Sequence, residues 1–202
     1  FDYQFMYLRA KELGCVNEFL QLSRNKQELC LSKNWQTGKE GLEESKIIIA
    51  SGQHDLKYVK MTNTKPIKKL YSVAAAFKPN MILENFGFDN DTEIVFFDYS
   101  KQSLAFKKLL ISQWDGEDYP AFLKYAIAKY QFGVTGGNET QGLTNDQLWQ
   151  REIKWWGGAN KIKDNWIRYR KLKHTYIHVD ICDNPSKVTQ KVTNEENSII
   201  WW

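Results

Sequence analysis

The sequence predicts an α/β protein in which a mostly parallel sheet is covered by helices on both faces. Short apolar runs bounded by turn residues recur along the chain and have the length of buried strands. Amphipathic segments with apolar residues at helical spacing separate these runs. From residue 68 the order is strand, helix, strand, helix, a helical insertion, strand, helix and strand. Buried strands joined by helices pair in parallel through right-handed crossovers, which gives three layers.

The composition is that of a globular protein with a heavy aromatic load. A chain of 202 residues suffices for one sizeable domain, or for a small domain with an appendage. It holds 8 Trp, 10 Tyr and 11 Phe, and such side chains require a core or a large contact surface. The net charge of +4 permits weak attraction to nucleic acid but falls short of a basic footprint.

Membrane and metal signals are missing from the sequence. No apolar run has the length of a membrane span, and the N-terminus lacks a basic-then-apolar leader. The three cysteines form no C-x-x-C pair and have no zinc-ligand spacing with histidines. We therefore expect a cytoplasmic protein, or a virion-associated one if the source is viral. Because the chain lacks an initiator Met and ends on an apolar run, we expect a fragment that is truncated at its C-terminus.

Residues 1–65 are predicted to form an N-terminal helical segment followed by a short hairpin. Helical spacing of apolar residues dominates residues 1–35. Residues 46–52 form a β-branched run closed by glycine, and residues 56–61 alternate apolar and polar side chains as a pairing strand would. This segment could cap a ligand site or serve in docking, and the sequence leaves both roles open.

The first half of the α/β domain, which spans residues 66–202, contains two predicted strand–helix units. Residues 69–75 form the first strand, and Pro79 begins a helix that ends at Gly87. Residues 93–97 form the clearest strand, and Ser100 caps the next helix. That helix is expected to bury Phe106, Leu109, Leu110 and Trp114 and to keep Lys101, Lys107 and Lys108 in solvent.

A helical insertion is predicted over about residues 115–172. It contains a helix over residues 119–130, a loop over 134–142 and two helices separated by Gly157-Gly158. Their apolar stripe indicates core rather than a base-stacking platform, and its tryptophans are Trp149, Trp156 and Trp166. The neighbouring Trp155 must point elsewhere, which makes it a candidate surface contact. A strand over residues 176–179, a short helix over 185–192 and a strand over 198–202 complete the prediction.

Ligands of open α/β sheets bind at the carboxyl ends of the strands, and this rule selects four places here. The turn at residues 74–79 follows the first strand, residues 98–100 follow the second, and residues 180–183 follow the third. The fourth place lies beyond Trp202.

Residues 95–104, which read VFFDYSKQSL, carry a resemblance to a known family. Together with the order of elements over residues 68–202, they resemble the Rossmann-like class I S-adenosylmethionine-dependent methyltransferases. The resemblance implies that Asp98 bonds the ribose hydroxyls of S-adenosylmethionine and that Asp180 lies near the adenine. The positions that it implies for cofactor binding are Ala74, Ala75, Ala76, Asp98, Tyr99, Asp180 and Ile181. The first turn departs from the family, because the family's glycines are replaced by Ala74-Ala75-Ala76.

The sequence leaves three functions open. The first is S-adenosylmethionine-dependent methyl transfer to an unknown acceptor, for which no residue stands out as the general base. The second is a non-catalytic Rossmann-like module used in assembly or partner binding, for instance within a larger complex or a virus particle, and the glycine-free turn and the aromatic load favour it. The third is sugar-nucleotide transfer, although residues 180–183 place one residue too many between their aspartates for a D-x-D metal motif.

Overall fold

The computed structural model describes residues 47–48, 65–132, 134–135, 143–180, 184, 186–192 and 197–201. All of them belong to one compact unit, Glu44–Trp202. The predicted N-terminal helices, the strand at residues 56–61 and the candidate site residue Ile181 lie outside the described residues.

Four parallel strands form the main sheet, and their spatial order is that of half a Rossmann fold. They are β2 (Ile67–Ser72), β3 (Phe88–Asp98), β5 (Lys173–His178) and β6 (Ser198–Trp201). Across the sheet the order is β5-β3-β2-β6, so β2 pairs with both β3 and β6. If only the four strands of this sheet are counted in chain order, β2 is the first, β3 the second, β5 the third and β6 the fourth. Their order across the sheet is then 3-2-1-4, as in the first half of a doubly wound sheet. The predicted α/β class with a parallel, Rossmann-like sheet is confirmed.

Several strand boundaries differ from the prediction: β3 begins at Phe88 rather than at residue 93, and β5 spans Lys173–His178 rather than residues 176–179. β2 ends at Ser72 rather than at residue 75, because the amide of Ala74 leaves the ladder and donates to the carboxylate of Asp98. The predicted loop over residues 134–142 begins with a short strand, β4 (Val134–Thr135), which pairs in parallel with β1 (Ile47–Ile48). Sequence periodicity could not show this pairing, since two residues are too few to establish a period.

Within the described residues the predicted helices are present, and the predicted cap at Ser100 is confirmed. They are α1 (Lys78–Phe86), α2 (Lys101–Gln113), α3 (Tyr119–Tyr130), α4 (Asn145–Trp156), α5 (Ala159–Tyr169) and α6 (Ser186–Thr189). The hydroxyl of Ser100 accepts a hydrogen bond from the amide of Ser103 at the start of α2. Thr144 and Gln147 form a reciprocal capping box on α4. Each such cap satisfies amides that the helix itself leaves unpaired.

Buried side chains cover both faces of the sheet. Leu70, Ile94 and Phe96 lie in the larger core, which the helical insertion shares. Their neighbours Tyr71, Val95 and Phe97 lie in a second core that includes Val188 of α6. Because successive residues of a strand face opposite sides, this alternation between two cores shows that helices pack on both faces.

Five aromatic rings form the centre of the insertion, where they meet the first turn of the α/β domain. Phe77 precedes α1, and its ring centroid lies 5.4 Å from that of Trp114 and 6.5 Å from that of Trp166. Trp114 and Trp166 lie 4.7 Å apart, and the Trp166 indole donates to the carbonyl of Trp114. Tyr119 and Trp149 complete the group, which we name the aromatic centre. The prediction that Trp149 and Trp166 are core residues is confirmed, and Trp156 is half-buried.

Gly116→Ala is expected to destabilise the fold by roughly 2–3 kcal/mol, as strain and overpacking add. Gly116 has φ = 97°, and an added Cβ would lie 2.9 Å from Cδ1 of Trp166. The matched control is Gly87→Ala, where φ is 84° and an added Cβ meets nothing within 4 Å. Chemical denaturation gives the loss of unfolding free energy in each variant, and the difference between the two losses is the cost of the contact with Trp166. Equal losses in the two variants would contradict the close approach to Trp166.

Candidate functional site

Asp98 is the last residue of β3, and its carboxylate joins two turns at the carboxyl edge of the sheet. Oδ2 accepts a hydrogen bond from the amide of Ala74 at 3.0 Å, and Oδ1 accepts one from the amide of Ser100 at 2.9 Å. Burial raises the pKa of this carboxyl group, while the two amides and the nearby charge of Lys107 oppose the rise. Asp98 therefore lies where the sequence predicted, and the protein fixes its orientation.

Asp98 is half-buried, and its carboxylate has more acceptor positions than the two amides use. An ionised carboxylate has about four acceptor positions, and the two amides use two of them. Tyr99 is exposed next to it, and its carbonyl lies 2.9 Å from Nε2 of His178. The carbonyl of Asp98 accepts from the amide of Val179, which ties the end of β5 to the end of β3. Asp180 follows, half-buried, so Asp98 and Asp180 lie at the carboxyl ends of neighbouring strands.

The first turn is closely packed. Ala74, Ala76 and Phe77 are buried, whereas Ala75 is half-buried. Ala76 has φ = 20°, a positive value that residues with a Cβ adopt infrequently. The backbone thus follows a path suited to glycine, at the turn where the resemblance implies glycines. In this turn an alanine, Ala76, adopts the positive φ that glycine would adopt more readily.

Lys107 is the site residue that sequence reasoning placed wrongly, since it is buried rather than in solvent. Its side chain is 1% exposed, its Nζ donates to the carbonyl of Ala76, and it lies 5.5 Å from the centroid of the Phe96 ring. Burial lowers its pKa to about 7, against the opposing attraction of Asp98. The available signal was its helical position, three residues before the buried Leu110.

Two further polar groups lie buried on the same face of the sheet. The ring of His174 is parallel to that of Phe96, with centroids 6.1 Å apart, and Tyr169 contacts His174 at 5.2 Å. Nε2 of His174 and the hydroxyl of Tyr169 are buried without a hydrogen-bond partner. Burial, followed by the charge of Lys107, lowers the pKa of His174 to about 4. His174 is thus a neutral imidazole at pH 7.

Two cavities lie elsewhere, among the helices of the insertion. One, of about 490 Å³, is lined by residues that include Glu117, Asp146 and Trp149; a second, of about 540 Å³, is lined by Lys124 and Ile127 among others. Asp98 lines neither of them. Within the described ranges, no group of three or more His, Cys, Asp or Glu side chains could hold a metal ion. None of the helices described is both long and apolar enough to cross a bilayer.

Comparison with known proteins gives one partial likeness. No protein-family model matches the chain, and no solved structure matches it. A stretch of 61 residues is 46% identical to a DNA polymerase of Phaeocystis pouchetii virus. The stretch covers 30% of this chain and 6% of that polymerase, so the chain spans only a small part of that relative's length.

Proposed function

We propose that this domain binds S-adenosylmethionine at the carboxyl edge of its sheet and transfers the methyl group to an acceptor. The 3-2-1-4 strand order, with Asp98 ending the second strand, carries the proposal. In such sheets the ligand crevice lies where the strand order reverses, which here is between β2 and β6. The turn of Ala74–Ala76 and the carboxylate that bonds to it lie beside that point.

The residues present fit the ribose end of such a cofactor. The two acceptor positions that remain on Asp98 suit a pair of neighbouring hydroxyls, and its amide bonds hold the carboxylate ready for them. Tyr99, exposed beside it, offers a ring face, and Asp180 follows the adjacent strand, where the resemblance implies adenine.

When bound, the cofactor supplies an electrophilic methyl group. The chain's own contribution is to position the reactants, since methyl transfer to a suitable nucleophile requires alignment above all. Lys107 holds the first turn in place through the carbonyl of Ala76. The likeness of part of the chain to a viral DNA polymerase makes nucleic acid the first acceptor to test.

Calorimetric titration with S-adenosylmethionine tests the proposal. Micromolar binding is expected for the whole chain and at least a tenfold loss for Asp98→Ala, because two charge-assisted hydrogen bonds are removed. Asp91→Ala is the matched control, since Asp91 is an exposed aspartate of the same strand. Thermal unfolding of both variants shows whether a loss of binding is separate from a loss of folding. Absence of binding to a folded wild-type chain would refute the proposal.

A second candidate is a non-catalytic module used in assembly or partner binding. Its favouring observation is that protein groups already bond to the candidate site: two amides donate to Asp98, and the buried Lys107 donates to the carbonyl of Ala76. In this case Asp98→Ala lowers the free energy of unfolding while the wild-type chain shows no calorimetric signal. The same two measurements therefore separate the candidates.

A further inference from the structure

The C-terminal end of α3 carries an exposed group of two tyrosines and a lysine. Tyr125 is 44% exposed and Tyr130 is 41% exposed. Nζ of Lys129 lies 5.2 Å and 5.4 Å from the centroids of their two rings, and it donates to the Tyr125 hydroxyl at 2.8 Å. We name these three residues the tyrosine patch.

Partly buried phenylalanines support the tyrosine patch from behind. Phe122 lies 6.3 Å from Tyr125, and Phe132 lies 5.8 Å from Tyr130 with an interplanar angle of 30°. Both phenylalanines contact Phe106 of α2, with centroids 6.4 Å and 5.6 Å from its ring. Because each tyrosine rests on a ring anchored in this way, little side-chain entropy remains to be lost when a ligand stacks on it.

Both charged side chains of α3 are cationic. Lys124 and Lys129 are the charged residues of α3, and both are exposed. The acidic residues Asp115, Glu117 and Asp118 precede the opposite end of the helix. At a rise of 1.5 Å per residue, Asp118 lies roughly 16 Å from Lys129 along the axis. Lys124 lines a cavity together with Asp118 and Asp146, so Lys129 is the lysine that an anionic ligand would meet away from these carboxylates.

We propose that the tyrosine patch binds single-stranded nucleic acid. Exposed aromatic faces accept unpaired bases by stacking, and lysines between them neutralise the phosphates. Paired bases are stacked within a duplex and cannot reach such rings, so a single strand fits better than a double helix. The inference stands on the contacts of α3 and is independent of methyl transfer at Asp98.

Fluorescence anisotropy with a labelled 15-nucleotide thymidine oligomer tests the inference, without S-adenosylmethionine. Micromolar to submillimolar binding is expected at low salt. The double variant Tyr125→Ala/Tyr130→Ala is expected to bind roughly tenfold or more weakly, because it loses two stacking faces. Lys129→Gln is expected to lower the salt dependence by about one phosphate contact. Trp155→Ala is the control, since Trp155 is an exposed aromatic residue on another helix.

A conservative variant and two alternative ligands complete the experiment. Tyr125→Phe/Tyr130→Phe keeps both rings and should bind nearly as the wild type does, which guards against misfolding of the alanine variant. The inference would be overturned if the wild-type chain did not bind the oligomer or if the double alanine variant bound it equally well. It would also be overturned if an abasic oligomer bound as tightly as the thymidine oligomer. Preference for anionic phospholipid vesicles over the oligomer would also overturn it. Titration of the same preparations with S-adenosylmethionine reports separately on Asp98.

Discussion

Lys107→Met is expected to remove most of the pH dependence of stability between pH 7 and pH 9.5. The pKa of Lys107 is lowered to about 7 in the folded chain, from 10.5. Between these two values the unfolded chain binds more protons than the folded chain, so stability rises with pH. For the wild type the rise from pH 7 to pH 9.5 is roughly 3 kcal/mol. The neutral amine still donates to Ala76, so this contact survives the loss of charge.

Urea denaturation of the wild type and the variant at several pH values provides the measurement. Lys108→Met is the matched control, because Lys108 is the exposed neighbour in the same helix and should leave the pH profile unchanged. His174 titrates near pH 4, which is outside this window. The buried tyrosines Tyr119 and Tyr169 have raised pKa values and act only at higher pH. Parallel wild-type and Lys107→Met profiles would show that the amine is solvated.

Trp166→Ala is expected to cost roughly 3–5 kcal/mol of folding free energy, which is a large part of the stability of a domain this size. The indole is 1% exposed and touches Trp114, Phe77 and Tyr169. Its removal leaves a cavity in the aromatic centre and deprives the Trp114 carbonyl of one donor. Since Phe77 belongs to the first turn, loosening of the aromatic centre should also reach the candidate site.

Thermal unfolding followed by near-ultraviolet circular dichroism measures this effect, because the signal comes from the packed rings themselves. Trp155→Ala serves as the control; Trp155 is 38% exposed, and its loss should change stability by less than about 0.5 kcal/mol. A loss below about 1 kcal/mol for Trp166→Ala would mean that the insertion does not share a core with the α/β domain.

The fold was predictable because its two central strands, β2 and β3, bury side chains on both faces. Continuous apolar runs such as residues 93–97 mark such strands, and the intervening helices leave parallel pairing as the natural arrangement. The position of Asp98 at the end of a strand was predictable too, because an apolar run that stops at a polar residue marks the end of a strand. Strand order was not visible, since nothing in the sequence of β6 specifies pairing with β2.

Other features depend on contacts between distant segments. Lys107 was expected in solvent because lysine is rarely buried, and only the distant Ala76 carbonyl and Phe96 ring account for its position. The tyrosine patch was missed for a similar reason. The sequence predicted the helix over residues 119–130, but the exposure of Tyr125 and Tyr130 depends on where Phe106 packs.

The pairing of β2 with β6 has a consequence for how the chain folds. Lys69 pairs with Ser198, about 130 residues later, whereas β2 and β3 are joined through the single short helix α1. Closing the shorter loop costs less chain entropy, so the β2–β3 pair is expected to form early and the β6 edge late. Until β6 docks, one side of β2 offers unpaired backbone groups, and these invite association with another chain. Aggregation during refolding should therefore depend on this edge more than on any exposed side chain.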